Sequence, residues 1–176
     1  MPDFSQATPG AARRGATVRH TRGMAESSAG HGVRVIVVGV DGSADSEAAV
    51  GFTARLAGAL GAEVVAVHAL GLLDRLEPDG PRVPTQPHRE EIAAKVEGEW
   101  TSALRDAGVA HRAVLHDGNP VDVVLQVVDD VGADLVVLGS RGIGGSPIQL
   151  LGSTSTQVAQ QARCPVTIVP PVEAAA

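Results

Sequence analysis

The sequence predicts an α/β fold: an open sheet of five parallel strands with helices on both faces. Three observations carry this reading. Short β-branched runs alternate with longer stretches of helical periodicity, and glycine or an Asn-Pro pair marks most junctions. The chain is also 44% hydrophobic with only two Phe, one Trp and no Tyr. A core for its 176 residues must therefore be built from Val, Leu, Ile and Ala, and that length suits one domain. No internal repeat points to a second.

Residues 33–40 (Val-Arg-Val-Ile-Val-Val-Gly-Val) are too short for a helix of their own and apolar throughout, as a central parallel strand requires. Asp41-Gly42-Ser43 turns the chain. Residues 44–60 then read as an amphipathic helix, with Ala49, Phe52, Leu56 and Leu60 at helical spacing and Gly61 at the stop position. Residues 63–69 form a second strand. Residues 71–87, rich in Pro, Gly and Asp, read as a loop or lid. A helix is expected over 88–107, carrying Ile92, Val96, Trp100 and Leu104, with Gly108 ending it. A third strand follows at 110–115. Asn119-Pro120 opens the next helix, Asn as cap and Pro at the first helical position, and it runs to about Val131. The fourth strand is 134–139, a helix covers about 152–162, and 165–169 close the sheet.

Composition excludes several functions. The net charge is −6, while residues 1–32 hold Arg13, Arg14, Arg19 and Arg22 against Asp3 and Glu26. The remainder is thus strongly acidic, which argues against gripping a nucleic-acid backbone. The small, polar, aperiodic makeup of 1–32 reads as a disordered tail, with Met24 a second candidate start, and 171–176 as a short C-terminal tail. Residues 33–170 form the domain. One cysteine, Cys164, excludes an intrachain disulfide framework and reads as a small, half-buried residue before the last strand. No apolar run approaches a membrane span and no secretory leader opens the chain, so a cytoplasmic protein is expected, without a nucleic-acid or membrane partner.

The chemistry concentrates between Gly139 and Thr154: Gly-Ser-Arg-Gly-Ile-Gly-Gly-Ser-Pro-Ile-Gln-Leu-Leu-Gly-Ser-Thr. A glycine-punctuated loop leaves a Val-rich strand and enters a hydroxyl-rich helix start. Glycine permits close backbone approach, and a helix N-terminus offers unpaired N–H groups with partial positive charge. Together they describe a cradle for an anion, nucleotide phosphates first among them. In doubly wound sheets ligands bind beyond the carboxyl ends of the strands, where strand order reverses. If strands one and four are neighbours there, Asp41 and the glycine loop share one crevice.

Three signatures then give a resemblance. Val38-Gly39-Val40-Asp41-Gly42-Ser43, Val67-His68-Ala69, and Gly139-x2-Gly142-x9-Gly152-Ser153 with Cys164-Pro165-Val166 resemble the nucleotide-binding branch of the universal stress protein family over residues 33–170. The nine-residue gap is the specific part. The resemblance implies strand order 3-2-1-4-5, as in adenine-nucleotide α-hydrolase-like folds, and often a dimer. It implies ATP with Mg²⁺ as the ligand, Gly39, Val40 and Asp41 at the adenine and ribose end, and Ala69 beside the base. Leu138 and Gly139 would flank the nucleotide, with Gly142, Gly152, Ser153 and Thr154 at the phosphates. Arg141 lies where the family loop varies, and two readings stand: a phosphate partner, or a solvated loop charge.

Bland readings stand beside these. Asp41 suits a helix cap as well as a ligand contact. His68 at a strand end reads as a structural histidine. His111 and His116 fall on opposite faces of a strand, and Asp129 and Asp130 diverge on a helix, so neither pair forms a site. The Walker lysine, the Gly-x-Ser-x-Gly elbow and a Ser-His-Asp set are all missing. With no catalytic residues or metal ligands to nominate, a ligand-regulated, ATP-binding stress-response module is expected, hydrolysing ATP slowly at most. The alternatives are an ATP-consuming enzyme or a nucleotide-free dimeric scaffold. The last strand, Pro165-Val166-Thr167-Ile168-Val169-Pro170, would lie at the sheet edge and pair two copies as a homodimer.

Overall fold

The structure, a computed structural model, describes residues 32–71, 76–77, 80–81, 85–143 and 151–171. The expectations for the tails, for most of the 71–87 segment and for the middle of the glycine loop lie outside the described residues. Strands β1 (Val35–Gly39), β2 (Glu63–Leu70), β5 (His111–Asp117), β6 (Leu135–Gly139) and β7 (Val166–Val169) form one sheet. Its order is β5-β2-β1-β6-β7, all pairs parallel. In order of these five strands along the chain, that is 3-2-1-4-5. Two two-residue strands, β3 (Leu76–Glu77) and β4 (Gly80–Pro81), pair antiparallel within the segment read as a loop.

Each crossover is long enough for a helix, as parallel neighbours require. Helices α1 (Ala44–Leu60), α2 (Gln86–Glu97) and α3 (Ser102–Asp106) belong to one face, α4 (Pro120–Val131) and α5 (Ser153–Gln161) to the other. β1 reads as a continuous apolar run because both its faces are covered. Ile36 and Val38 join Ala49, Val50, Val64 and Leu104 on the α1 side, whereas Val37 packs with Val65, Val124, Val136 and Val158 on the α4 side. Among the described residues twelve large side chains are fully buried, all but Ile36 and Leu104 of them Val. β-Branched side chains hold narrow rotamer distributions and suit pleated surfaces, so a valine core loses little side-chain entropy on folding.

Local signals set the boundaries. Gly61 and Gly132 end α1 and α4 in left-handed geometry, at φ 67° and 60°. Asn119 caps α4, its side-chain oxygen accepting from Val121 N at 2.9 Å, with Pro120 behind it.

The single helix expected over 88–107 is instead two, and it starts earlier, at Gln86 with Pro87 in its first turn. Helix formers run through the segment, but two tertiary demands break it. Trp100 N bonds Lys95 O at 2.9 Å in a widened turn after Gly98. The fully buried Thr101 spends its hydroxyl on Val96 O at 2.8 Å, a side-chain bond that replaces helix ladder. The break lets Trp100 lie over the turn after β1 while Leu104 fills the core.

Replacing Asn119 with Ala should lower stability by about 1 kcal/mol through loss of the cap. Urea unfolding with an unchanged m-value would confirm it; a change within 0.2 kcal/mol, taken as roughly the error of such measurements, would show the cap to be dispensable.

Candidate functional site

β1 and β6 are adjacent in the middle of the sheet, so the strand-order reversal falls between their carboxyl ends. Three segments converge there: the turn 40–43 after β1, the first turn of α1, and the loop 140–143 that leaves β6. The start of α5 joins them. Gly152 N donates to Ser140 O at 2.7 Å, and the Ser155 hydroxyl donates to Ser140 O at 2.9 Å.

Asp41 ties the turn to the loop. Its Oδ1 accepts from Ser43 N at 3.0 Å and from the Ser43 hydroxyl at 2.6 Å, while Oδ2 accepts from Ile143 N at 2.9 Å. The α1 cap is Ser43, whose oxygen accepts from Ser46 N at 3.2 Å. The capping role open to Asp41 in the sequence is thus taken by its neighbour, and Asp41 is left to hold the glycine loop.

A second carboxylate does more. Asp45, 7% exposed in the first turn of α1, collects three donors on Oδ2: the Ser140 hydroxyl at 2.6 Å, Arg141 N at 3.0 Å and Arg141 Nε at 3.3 Å. Burial is the largest single influence on its pKa and pushes it up. The donated bonds from Ser140 and Arg141, with the guanidinium charge, together outweigh burial and hold it below its ordinary value. Nothing in the sequence marks this residue, since an acid in a first helical turn is common for dipole reasons alone.

The glycines acquire reasons of their own. A Cβ on Gly139 would sit 2.6 Å from the Asp45 backbone carbon, so only glycine lets α1 close on the end of β6. A Cβ on Gly142 would sit 2.5 Å from Asp41 Oδ2, so its bareness admits the carboxylate that tethers the loop. Gly152 is the N-cap of α5, so the N-cap residue itself offers the first N–H groups of that helix no side-chain acceptor. A side chain at 152 would meet only ordinary contacts, at 3.4 Å and beyond.

The remaining nominated residues divide. Ser153 is exposed, Thr154 and Ala69 half-exposed, and all lie at the carboxyl edge. Val40 is 3% and Leu138 5% exposed, so their side chains belong to the two cores. Val40 also commits its backbone, N to Val67 O at 2.9 Å and O to His68 Nδ1 at 2.6 Å. His68 is thereby a structural donor, and its ring meets Trp100 edge-on with centroids 5.2 Å apart. Trp100 in turn covers Gly42, which stands at φ 79°. Sequence periodicity marks Trp100 as core and gives no sign of this contact. Among the described residues no cluster of three His, Cys, Asp or Glu is arranged to hold a metal, and no helix is long and apolar enough to cross a membrane.

Because the folded pKa of Asp45 is depressed, its stabilisation is present above the ordinary value of 3.8 and is lost as pH falls through the lower folded value. Asp45→Asn should therefore cost about 1.5–3 kcal/mol at neutral pH, where charged hydrogen bonds are lost. That difference should shrink steadily below about pH 4. Melting curves of both proteins from acid to neutral pH supply the check; a gap independent of pH would refute it.

Comparison with known proteins agrees with this architecture. Residues 32–170 match the sequence profile of the Universal stress protein family. A universal stress protein of Mycobacterium tuberculosis is 36% identical over 134 residues, 76% of this chain and 44% of that protein. The chain spans about half the length of the curated relatives of this kind that it matches. Among solved structures, a universal stress protein in complex with cAMP superposes with a TM-score of 0.62 at 28% identity, over 80% of this chain and 98% of that one. The universal stress protein of Archaeoglobus fulgidus in complex with dAMP does so with a TM-score of 0.59 at 26% identity, over 77% and 97%. The chain belongs to the universal stress protein family.

Proposed function

We propose that this domain binds an adenine nucleotide, ATP with Mg²⁺, in the crevice at the carboxyl ends of β1 and β6, and acts as a ligand-regulated stress-response module. The observation that carries the reading is the meeting of the glycine loop, the Asp41 turn and the side-chain-free N-cap of α5 at the one place where strand order reverses. Adenine nucleotides occupy the solved relatives named above, with cAMP in one and dAMP in the other. Gly39, Val40, Asp41 and Ala69 line the base and ribose end. Leu138 and Gly139 form the wall, and Arg141, Gly142, Gly152, Ser153 and Thr154 take the phosphates. Mg²⁺ arrives with the phosphates.

A nucleotide held this way touches both sides of the reversal and so reports occupancy through the loop. Ligand binding shifts a conformational equilibrium by its differential affinity and needs no turnover. Regulation by occupancy, in the cytoplasm, is the function assigned.

Gly152→Asp tests the phosphate end without harming the fold. An Asp there can accept from the α5 N–H groups as a normal cap, so melting temperature should hold or rise. The same carboxylate takes the phosphate position with like charge, and ATP affinity measured by calorimetry should fall at least about ten-fold. Wild-type affinity in this variant would place the ligand elsewhere.

A homodimer through β7 completes the proposal. β7 is an edge strand, and all four of its residues are only partly covered. Val136 N donates to Pro165 O and Ser140 N to Val169 O, at 3.0 and 2.9 Å. Alternate residues of a strand face the same neighbour, so Val166 and Ile168 turn their N–H and C=O groups to the open edge. Ile168→Pro removes one outward donor and leaves the ladder to β6 intact. Light scattering should show a dimer for the wild type and a shift towards monomer for the variant. A monomeric wild type at high micromolar concentration, or a variant still fully dimeric, would overturn this interface.

A further inference from the structure

The grip of Asp45 on Arg141 has a geometry that a plain ion pair does not need. A guanidinium and a carboxylate left to themselves favour a two-pronged contact, with two parallel N–H bonds to two oxygens. Here a single oxygen, Oδ2, receives Arg141 Nε at 3.3 Å, shared with the Arg141 amide at 3.0 Å and the Ser140 hydroxyl at 2.6 Å. One of the five guanidinium donors is engaged. The four hydrogens on the Nη atoms meet no acceptor among the described residues. The side chain is 29% exposed, so these donors are partly withdrawn from water as well.

The anchor also fixes direction. A guanidinium is planar and rigid, so holding Nε together with the residue's own amide restricts both the chain and the plane of the fork. The Arg141 backbone lies beside the α5 start, its Cα 3.4 Å from where a Cβ on Gly152 would stand. Arg141 is therefore rooted in the same small region as the start of α5. Two independent features, a helix start whose N-cap residue has no side chain and a guanidinium held at Nε whose other four donors meet no acceptor among the described residues, suit one kind of ligand: a group with several anionic oxygens.

We propose that Asp45 is a positioning residue, which holds Arg141 so that its Nη edge meets the outer phosphates of the nucleotide and makes the site prefer a triphosphate to a monophosphate. This rests on the nucleotide reading of the crevice. It settles the two roles open to Arg141 in favour of phosphate contact, and it assigns a role to Asp45, which the glycine signature does not include. Asp45 itself never touches the ligand. Its charge is offset by Arg141 and by the donors around it, so it adds orientation at little cost in repulsion.

The test is calorimetric titration of MgATP, MgADP and AMP into the wild type, Arg141→Ala, Arg141→Lys and Asp45→Asn, with the ratio of AMP to ATP dissociation constants as the readout. Arg141→Ala should lower that ratio about ten-fold, the usual scale for a lost charged hydrogen bond. Arg141→Lys should fail to restore it, because lysine keeps the charge but lacks the Nε by which Asp45 sets the fork. Asp45→Asn should lower the ratio as well, and add little to Arg141→Ala in the double variant. Should Asp45→Asn not fold, the side-chain NMR signals of Arg141 in the wild type serve instead: MgATP should shift them and AMP should not. An unchanged ratio in Arg141→Ala, equal signal shifts with both nucleotides, or an equal loss of all three ligands in Asp45→Asn would overturn the proposal and leave Asp45 a staple of the fold. A wild type that binds none of the three would instead bring down the nucleotide reading, and this inference with it.

Discussion

The carboxyl edge of this sheet depends on how closely the first turn of α1 approaches the end of β6. Gly139 sets that distance. A single added carbon there would collide with the Asp45 backbone at 2.6 Å, and backbone, unlike a side-chain tip, has nowhere to go. With α1 closed on β6, the Asp45 carboxylate reaches Ser140 and Arg141 across a sequence separation of 95 and 96 residues. The loop leaving β6 is then fixed before it turns towards α5. Asp41 repeats the device one turn away, passing bare Gly142 to reach Ile143 N. Two carboxylates from the start of the domain thus shape a loop near its end.

Much of this architecture is visible in the sequence, and the failures have physical causes. Parallel strands buried on both faces leave continuous Val-rich runs, so β1, β2 and β6 stand out, and Gly61 and Asn119-Pro120 mark helix ends through local backbone chemistry alone. The break between α2 and α3 is not local. Residues 86–106 favour helix by propensity, and the chain departs from it so that Thr101 can be buried with its hydroxyl on Val96 O and Trp100 can cover Gly42. Those demands come from β1 and from the core, dozens of residues away.

The site shows the same division. The glycine spacing is readable as a signature, yet the structure gives Gly139 and Gly142 reasons that involve Asp45 and Asp41, and these hold with the crevice empty or full. Asp45 could not be singled out because its helical position already explains an acid. Only the fold shows that its carboxylate points at β6. Val40 illustrates the converse: it lies within the signature, but its side chain is core, and only its backbone is at the edge.

Electrostatics then constrain what the crevice accepts. Asp41 and Asp45 are both acidic and both border the proposed nucleotide crevice, which at first sight opposes an anionic ligand. Their oxygens, however, are turned to donors of the protein itself: Ser43 and Ile143 for Asp41, Ser140 and Arg141 for Asp45. A hydrogen-bonded, partly buried carboxylate projects less field into the crevice than a free one, because the donor dipoles oppose it at close range. In the proposed site the groups left for a ligand would be mainly donors: the first N–H groups of α5, the hydroxyls of Ser153 and Thr154, and the Nη edge of Arg141. Acid residues that build the loop and donors left over for a ligand are complementary parts of one arrangement, since carboxylates that recruit the loop also hold its remaining donors in place.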